Sequence, residues 1–243
     1  MKKIFILLVF CSLISAIFAQ VTLDPRYHTN EEIYDEIMQL QADNPDIVMV
    51  EQIGTTLGAV PYRDPMPIWG VKISDNVAVD EDEPAVMYAG QVHAEEVLGV
   101  EITMWMLQEI VQHRNQTPYS IWISEIEMWF VPTYNPEGLE VVMNGWDESW
   151  RKNQRDNNLN GILDLIQGPG NDVDGVDLNR NYGWNWIHGN VLGSTSGEEL
   201  GDYYRGPGPF SEGGTQTIKS LAEQQHRSEE RFSRNAETDI VCR

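Results

Sequence analysis

Ala85-Val86-Met87-Tyr88-Ala89-Gly90-Gln91-Val92-His93-Ala94-Glu95-Glu96 is the stretch on which the fold turns. Its first six residues form a short, almost wholly apolar run, of the kind buried on both faces of a sheet. A His-x-x-Glu follows directly, at the strand end where α/β folds place their active sites. Downstream, Val97 to Arg114 predicts a helix with an apolar stripe through Val100, Met104 and Leu107. Upstream, Ile47–Ile53 and Pro67–Ile73 read as strands around a Gly/Pro-rich turn, and Val77–Pro84 reads as an acidic loop. Before them, Thr29-Asn30-Glu31-Glu32 has the form of a capping box. Ile33, Ile37 and Leu40 continue it at helical spacing to the Asn44-Pro45 stop. Ile121–Pro132 reads as another strand, ending in the turn cluster Tyr134-Asn135-Pro136-Glu137-Gly138. This alternation predicts an α/β fold with a largely buried sheet.

Residues 144–214 change character: they are rich in Asn, Asp, Gly and Trp and have little periodicity. A region this long without elements is expected to be either functional or disordered, and its aromatics (Trp146, Trp150, Trp184, Trp186, Tyr203, Tyr204) favour ordered, packed loops. The 243 residues carry a formal charge of −22, and residues 20–226 alone hold 10 basic against 34 acidic residues, a net of −24. A surface that acidic repels phosphate backbones, so no nucleic-acid partner is expected. Met1-Lys2-Lys3, the apolar run Ile4–Phe18 and small Ala19 predict a secretory signal peptide over 1–19, cleaved after Ala19. Bulky Phe10 before Cys11 argues against a lipid anchor there, and no later stretch is apolar enough to span a bilayer. The protein is therefore expected outside the cell, with no transmembrane segment. Cys242 is the remaining cysteine, so disulfides are not expected to stabilise the body.

His93 and Glu96 stand three residues apart, a spacing that lets both side chains converge on one ion across a helical turn. The spacing alone says little. Five His and 38 acids in 243 residues predict about one chance match, and three occur: His28/Glu31, His93/Glu96 and His226/Glu229. Only His93 directly follows a buried-strand candidate, where it reads either as a metal ligand or as a hydrogen-bonded loop histidine. The basic residues are more telling. Five of the ten in 20–226 are Arg151, Lys152, Arg155, Arg180 and Arg205, all in the irregular region. They fit either an anion site or ion pairs with the abundant acids.

In order along the chain stand Gly90-Gln91-Val92-His93-Ala94-Glu95-Glu96, Asn135-Pro136-Glu137-Gly138 and Trp150-Arg151-Lys152-Asn153. Gly175-Val176-Asp177-Leu178-Asn179-Arg180-Asn181-Tyr182, Tyr204-Arg205-Gly206-Pro207 and Phe210-Ser211-Glu212 complete the series. In these residues, from about Tyr27 to His226, the chain resembles the zinc metallocarboxypeptidases of the carboxypeptidase A and carboxypeptidase T type. The resemblance implies a mixed, mostly parallel β-sheet flanked by helices. It makes His93 and Glu96 the first two ligands of one zinc ion. It makes Asn179 and Arg180 the clamp for the free C-terminal carboxylate of a peptide or protein substrate. An arginine near Trp150-Arg151-Lys152-Asn153 would polarise the scissile carbonyl. It is expected four residues after the tryptophan, where Gln154 stands, and Arg155, one residue later, is assigned the role. Glu95 likewise stands where the family usually has arginine.

The family's third zinc ligand, a histidine, follows well beyond the Phe210-Ser211-Glu212 segment, with the general-base glutamate later still, and the sequence ends first. Residues 20–226 are thus expected to be the N-terminal portion of such a catalytic domain, its C-terminal part missing and this form inactive. Residues 227–243 are expected to be a non-native tail. They lack periodicity, are neutral where the body is acidic, and closely resemble the translation of a sequencing-library adapter. Other readings are a non-catalytic module binding peptide C-termini, or a metal-dependent deacylase acting on a non-peptide amide. Finally, Asp156, Asn158, Asn160, Gly161, Ile162 and Asp164 match positions of a calcium loop, with Gln167 where the last ligand would be glutamate. Calcium through Asp156, Asn158, Asn160 and Asp164 is a second metal expectation.

Overall fold

The structure, a computed structural model, describes residues 23–58, 63–79, 81, 83–166, 173–184, 186 and 201–233, of which 226–233 by backbone alone. The expected signal segment, Gln167 and residues 234–243 lie outside these. Helix α1 spans Asn30–Asp43 and starts where its capping box predicts: the Thr29 side chain accepts from the Glu32 N–H while Glu32 reaches back to Thr29. Such a cap contributes about 1 kcal/mol. Strands β1 (Val48–Thr55), β2 (Pro67–Ile73), β3 (Ala85–Ala89) and β4 (Glu127–Val131) form one sheet in the order β1-β2-β4-β3. β1 with β2 and β2 with β4 are antiparallel, and β3 with β4 is parallel. The sheet is mixed, as expected, but within these four strands antiparallel pairings outnumber parallel ones, the reverse of the expected weighting.

Alternation along β4 builds both cores. Met128 and Phe130 enter one with Ile33 and Ile37 of α1, with Val100, Met104 and Leu107 of α2 (Leu98–Gln112), and with Leu139. Trp129 and Val131 enter the other with Ile68, Leu178, Ile218 and Leu221. Two more helices frame the cores: α3 spans Tyr119–Glu125, and Leu139 belongs to α4 (Pro136–Met143). Ile218 and Leu221 belong to α5 (Gly213–Ser233). Every residue of β4 is buried. The doubly covered strand is therefore β4, not the apolar run at Ala85. β3 takes the edge, with none of its residues fully buried and Tyr88 exposed.

A second expectation also changes. Ile121–Glu125 is not strand but the end of α3. Alternating Ile-Trp-Ile favours a strand intrinsically, yet such preference yields to tertiary context. Here Tyr119 donates to Glu109 Oε1, its ring stacks on His113, and Ile123 is buried. In the irregular region Trp150 and Tyr204 are packed as expected, whereas Trp146, Trp184 and Tyr203 are exposed. The backbone of α5 continues through 227–233, where no regular structure was expected. Once nucleated, a helix gains one bond per added residue, so ordinary helix formers such as Glu229, Glu230 and Arg231 extend it.

Among the described residues, Lys72 and Glu127 form a buried ion pair between β2 and β4, with Lys72 also donating to Val79 O at 2.7 Å. Lys72→Met strands a buried carboxylate and should cost about 3–5 kcal/mol in urea unfolding. Adding Glu127→Leu should restore most of that loss. Equal stability of the single and double variants would contradict this.

Candidate active site

The parallel pair β3–β4 ends in two loops that are tied to each other. Gly90 N–H donates to Val131 O at 2.8 Å, closing the ladder. A Cβ at Gly90 would stand 2.6 Å from Pro132 O and 2.7 Å from Gly99 O, so only glycine lets the loop turn between β4 and α2. Gln91 bonds Thr133 and Ala94 O, and Asn135 Nδ2 donates to Val92 O at 3.0 Å. Asn135 Oδ1 also caps α4 through the Gly138 N–H at 3.0 Å. These bonds fix the turn that carries His93 and Glu96.

His93 is 5% exposed. Its Nε2 lies 3.1 Å from Asp177 Oδ1 and 2.7 Å from Arg151 Nη2. Its Nδ1 lies 3.0 Å from Glu96 Oε1 yet makes no hydrogen bond. One nitrogen cannot both donate to Asp177 and accept from Arg151. With the proton on Nε2 toward Asp177, the Nδ1 lone pair faces Glu96. Burial alone would lower the His93 pKa, but Asp177 and Glu96 outweigh it and raise it. Asp177, wholly buried, is pushed up by burial and held below its ordinary value by His93 and Arg151. It reaches the site because Gly175 adopts φ +84°, in space where a Cβ would stand 2.5 Å from Asn153 O.

Arg151 closes the cluster. Its Nε donates to Asp177 Oδ2 at 2.9 Å and its Nη1 lies 3.4 Å from Glu95 Oε1. Its guanidinium also sits over the Tyr203 ring, 5.1 Å from the centroid. Arg180 packs on the same ring at 5.6 Å, so the expected carboxylate clamp adjoins the His93 cluster through Tyr203. Asn179, exposed, is set by its N–H donating to Asp177 Oδ1 at 2.9 Å within the one-turn 3-10 helix Leu178–Arg180.

The structure brings together His93, Glu96, Asn179 and Arg180, whereas the contact shown for the Arg155 head group is with Glu212. Arg155 Nη1 is held 3.0 Å from Glu212 Oε1, on a cavity of about 200 Å³ lined also by Thr56, Tyr134, Glu137 and Asp156. Gln154 is a structural tie. It is 1% exposed, donates to Glu137 O at 2.7 Å and accepts from Arg63 Nε at 2.9 Å. Asp177, Glu95 and Tyr203 carried no expected role, and Arg151 only that of one cation in an anion site or in ion pairs. Asp177 had a signal, a lone acid between apolar Val176 and Leu178 in a quoted motif. The others had none beyond the clustering of arginines.

In the expected calcium loop, the Asp156 carboxylate accepts the Asn160 and Gly161 N–H groups at 3.2 and 2.8 Å. Asn158 and Asn160 donate to Asp164 Oδ2, and Asp174 accepts the Asn157 and Asp164 N–H groups. The loop's oxygens are thus used within the loop, and calcium there finds no support. Among the described residues, the one set of three or more acidic, histidine or cysteine side chains close enough to share an ion is instead Asp75, Glu81 and Glu83.

This architecture is that of known carboxypeptidases. A carboxypeptidase A from Helicoverpa armigera superposes with a TM-score of 0.66 at 26% identity, over 83% of this chain and 43% of the other. The zinc carboxypeptidase family pattern matches residues 33–235, and the chain belongs to that family. A zinc carboxypeptidase of Saccharothrix mutabilis subsp. capreolus is 32% identical over 162 residues, covering 66% of this chain and 33% of the relative. One of Simulium vittatum is 28% identical over 81% of this chain and 56% of the relative. The chain thus spans between a third and just over half of these relatives' lengths. The residues present fit the zinc that the family implies: a buried imidazole nitrogen without a hydrogen bond faces a carboxylate oxygen, with a second carboxylate behind the ring.

Glu137 offers a separate test of the loop framework. It is 3% exposed, Oε2 accepts the Gln154 N–H at 3.2 Å, and Oε1 has no hydrogen-bond partner. Burial pushes this carboxyl up, more than Thr56, the Gln154 N–H and Arg63 pull it down. A raised carboxyl costs no stability below the unfolded value near 4.5; the loss grows as pH rises from there and is complete above the folded-state value. Glu137→Gln should therefore be more stable than the parent at pH 7–8, with the difference vanishing near pH 4 in urea titrations. A constant difference across that range would refute it.

Proposed function

We propose that residues 20–226 are the N-terminal portion of the catalytic domain of a secreted zinc metallocarboxypeptidase, which hydrolyses C-terminal residues from peptides. The observation that carries this reading is the orphaned Nδ1 of buried His93, 3.0 Å from Glu96 and backed by Asp177. His93 and Glu96 would hold the zinc, with a third ligand supplied by the part of the catalytic domain that continues from residue 226. Bound there, the ion would acidify a water and polarise the peptide carbonyl. Asp177 holds the His93 ring in the orientation that ligation requires. Asn179 and Arg180 would receive the substrate's terminal carboxylate, Arg180 through its two-pronged guanidinium. That fixes the register of the chain end and is what restricts such an enzyme to terminal residues. Arg155 would stabilise the oxyanion, which requires it to leave Glu212.

Two further parts of the reading concern the ends. The basic and apolar start, 1–19, is the leader that carries the protein out of the cell. Residues 227–243 are foreign to it, although the family match runs to 235. No described helix is long and apolar enough to cross a membrane.

The test uses the longer protein with its remaining ligands, assayed on one peptide with a free C-terminus and on its C-terminal amide. Arg180→Ala should lose about 2–5 kcal/mol in kcat/KM on the free acid if the charge pair is desolvated. The amide should be poor with the parent and no worse with the variant. Equal loss on both substrates would assign Arg180 to folding. No turnover by the parent, with its metal bound, would leave a C-terminus binding module as the function.

A further inference from the structure

The Arg151 head group lies wholly within the His93 cluster, donating to Asp177 and Glu95 and resting Nη2 against the His93 ring, and neither the expected ligand set nor the expected clamp includes it. Its three guanidinium nitrogens face three different partners: Asp177 at 2.9 Å, His93 Nε2 at 2.7 Å and Glu95 at 3.4 Å. Its backbone carbonyl accepts the Ala94 N–H at 3.1 Å, inside the turn between His93 and Glu96. The flat face of its guanidinium is covered by Tyr203. Arg151 therefore grips the ligand-bearing turn from both its backbone and its head group.

We propose that Arg151 is a positioning residue for the metal site, holding Asp177 against His93 so that Nδ1 stays aimed at Glu96; this rests on the assignment of zinc to His93 and Glu96. Its planar fork is the feature that matters. Asp177 alone could swing with its carboxylate plane, but a bidentate-capable guanidinium engaging Asp177 and Glu95 together locks that plane. Glu95 is the counter-anchor. It keeps Arg151 from following Asp177 alone, and it offsets the positive charge beside a site meant for a dication. Groups behind metal-ligating histidines set ring orientation, and their loss weakens metal binding by about 10- to 100-fold.

The sign of the effect separates positioning from simple proximity. A cation next to a dication repels it, so deleting Arg151 should tighten metal binding if charge were all that mattered. Positioning demands the opposite. The experiment titrates Co²⁺ into the metal-free longer protein with its remaining ligands and follows its visible absorption, with far- and near-ultraviolet circular dichroism as the fold check. Arg151→Ala should bind Co²⁺ about 10-fold more weakly or worse. Arg151→Lys, which keeps the charge and loses the fork, should resemble Arg151→Ala rather than the parent. Unchanged or tighter binding in folded Arg151→Ala overturns the proposal, as does a parent-like Arg151→Lys. Should Arg151→Ala not fold, Arg151→Lys and Glu95→Gln decide: both must weaken Co²⁺ binding, and parent-like affinity in either sinks the idea. His93→Ala keeps the two readings apart. If it leaves Co²⁺ binding intact, the zinc assignment fails; if it abolishes binding while Arg151→Ala does not, only the role of Arg151 fails.

Discussion

The buried carboxylate of Asp177 is the interaction on which the site depends. Taking an ion out of water costs several kcal/mol unless neighbours replace its hydration. Asp177 is wholly buried, and its oxygens meet the His93 ring, the Arg151 Nε and the Asn179 N–H. Those partners come from three segments far apart in sequence: the turn after β3, the start of the irregular region, and the 3-10 turn Leu178–Arg180. A single charge thus couples His93 to Arg151 and to the turn that bears Asn179 and Arg180. The strength of that coupling is not chiefly in any one bond. It lies in the fact that leaving any partner out strands a charge in the interior.

The sheet supplies the rigidity this needs. β4 is buried along its whole length and feeds both cores, so its C-terminal end is a firm origin for Thr133 and Asn135. Asn135 then donates its amide to Val92 O and Lys152 O while its oxygen caps α4. One asparagine therefore registers three loops against the strand. The irregular region can lack periodic structure and still be ordered, because its backbone bonds are met by such side chains rather than by a ladder.

Local chemistry is what the sequence makes legible. Thr29 and Glu32 announce α1, and β2 starts and stops where its pattern does. His93 stands out among three equal spacings because it follows a strand and opens a recognisable series of motifs. Features that depend on paths through space are not legible in this way. The apolar run at Ala85 reads as the covered strand, since composition cannot tell a central strand from an edge one. Ile121 and Ile123 favour a strand until Tyr119 ties that segment to α2. Which arginine near Trp150 meets the His93 turn depends on which way the chain after Trp150 runs. The Arg155 backbone faces Gly175 and its side chain faces Glu212, whereas the Arg151 carbonyl meets Ala94. Spacing from the tryptophan carries no such information.

The charge distribution completes the argument for the site. A body at −24 repels the anionic end of a peptide from most directions, yet salt screens exposed charges beyond about 8 Å at physiological ionic strength. Distant acids therefore matter little once a substrate is close, and the local groups decide. Near His93 those are Arg151 and Arg180, two like charges that would repel if packed bare. Tyr203 lies within 5.1 and 5.6 Å of them and presents its negative π face to both. The ring, 46% exposed, keeps the two guanidiniums in one neighbourhood while giving them different duties. Arg151 is turned inward to Asp177 and Glu95, while Arg180, whose Nη1 donates to the neighbouring Asn179 carbonyl at 3.1 Å, stays nearer the surface. One arginine is thus satisfied by buried acids and the other is left nearer the surface, and the same aromatic ring makes both tolerable in a chain with so few cations.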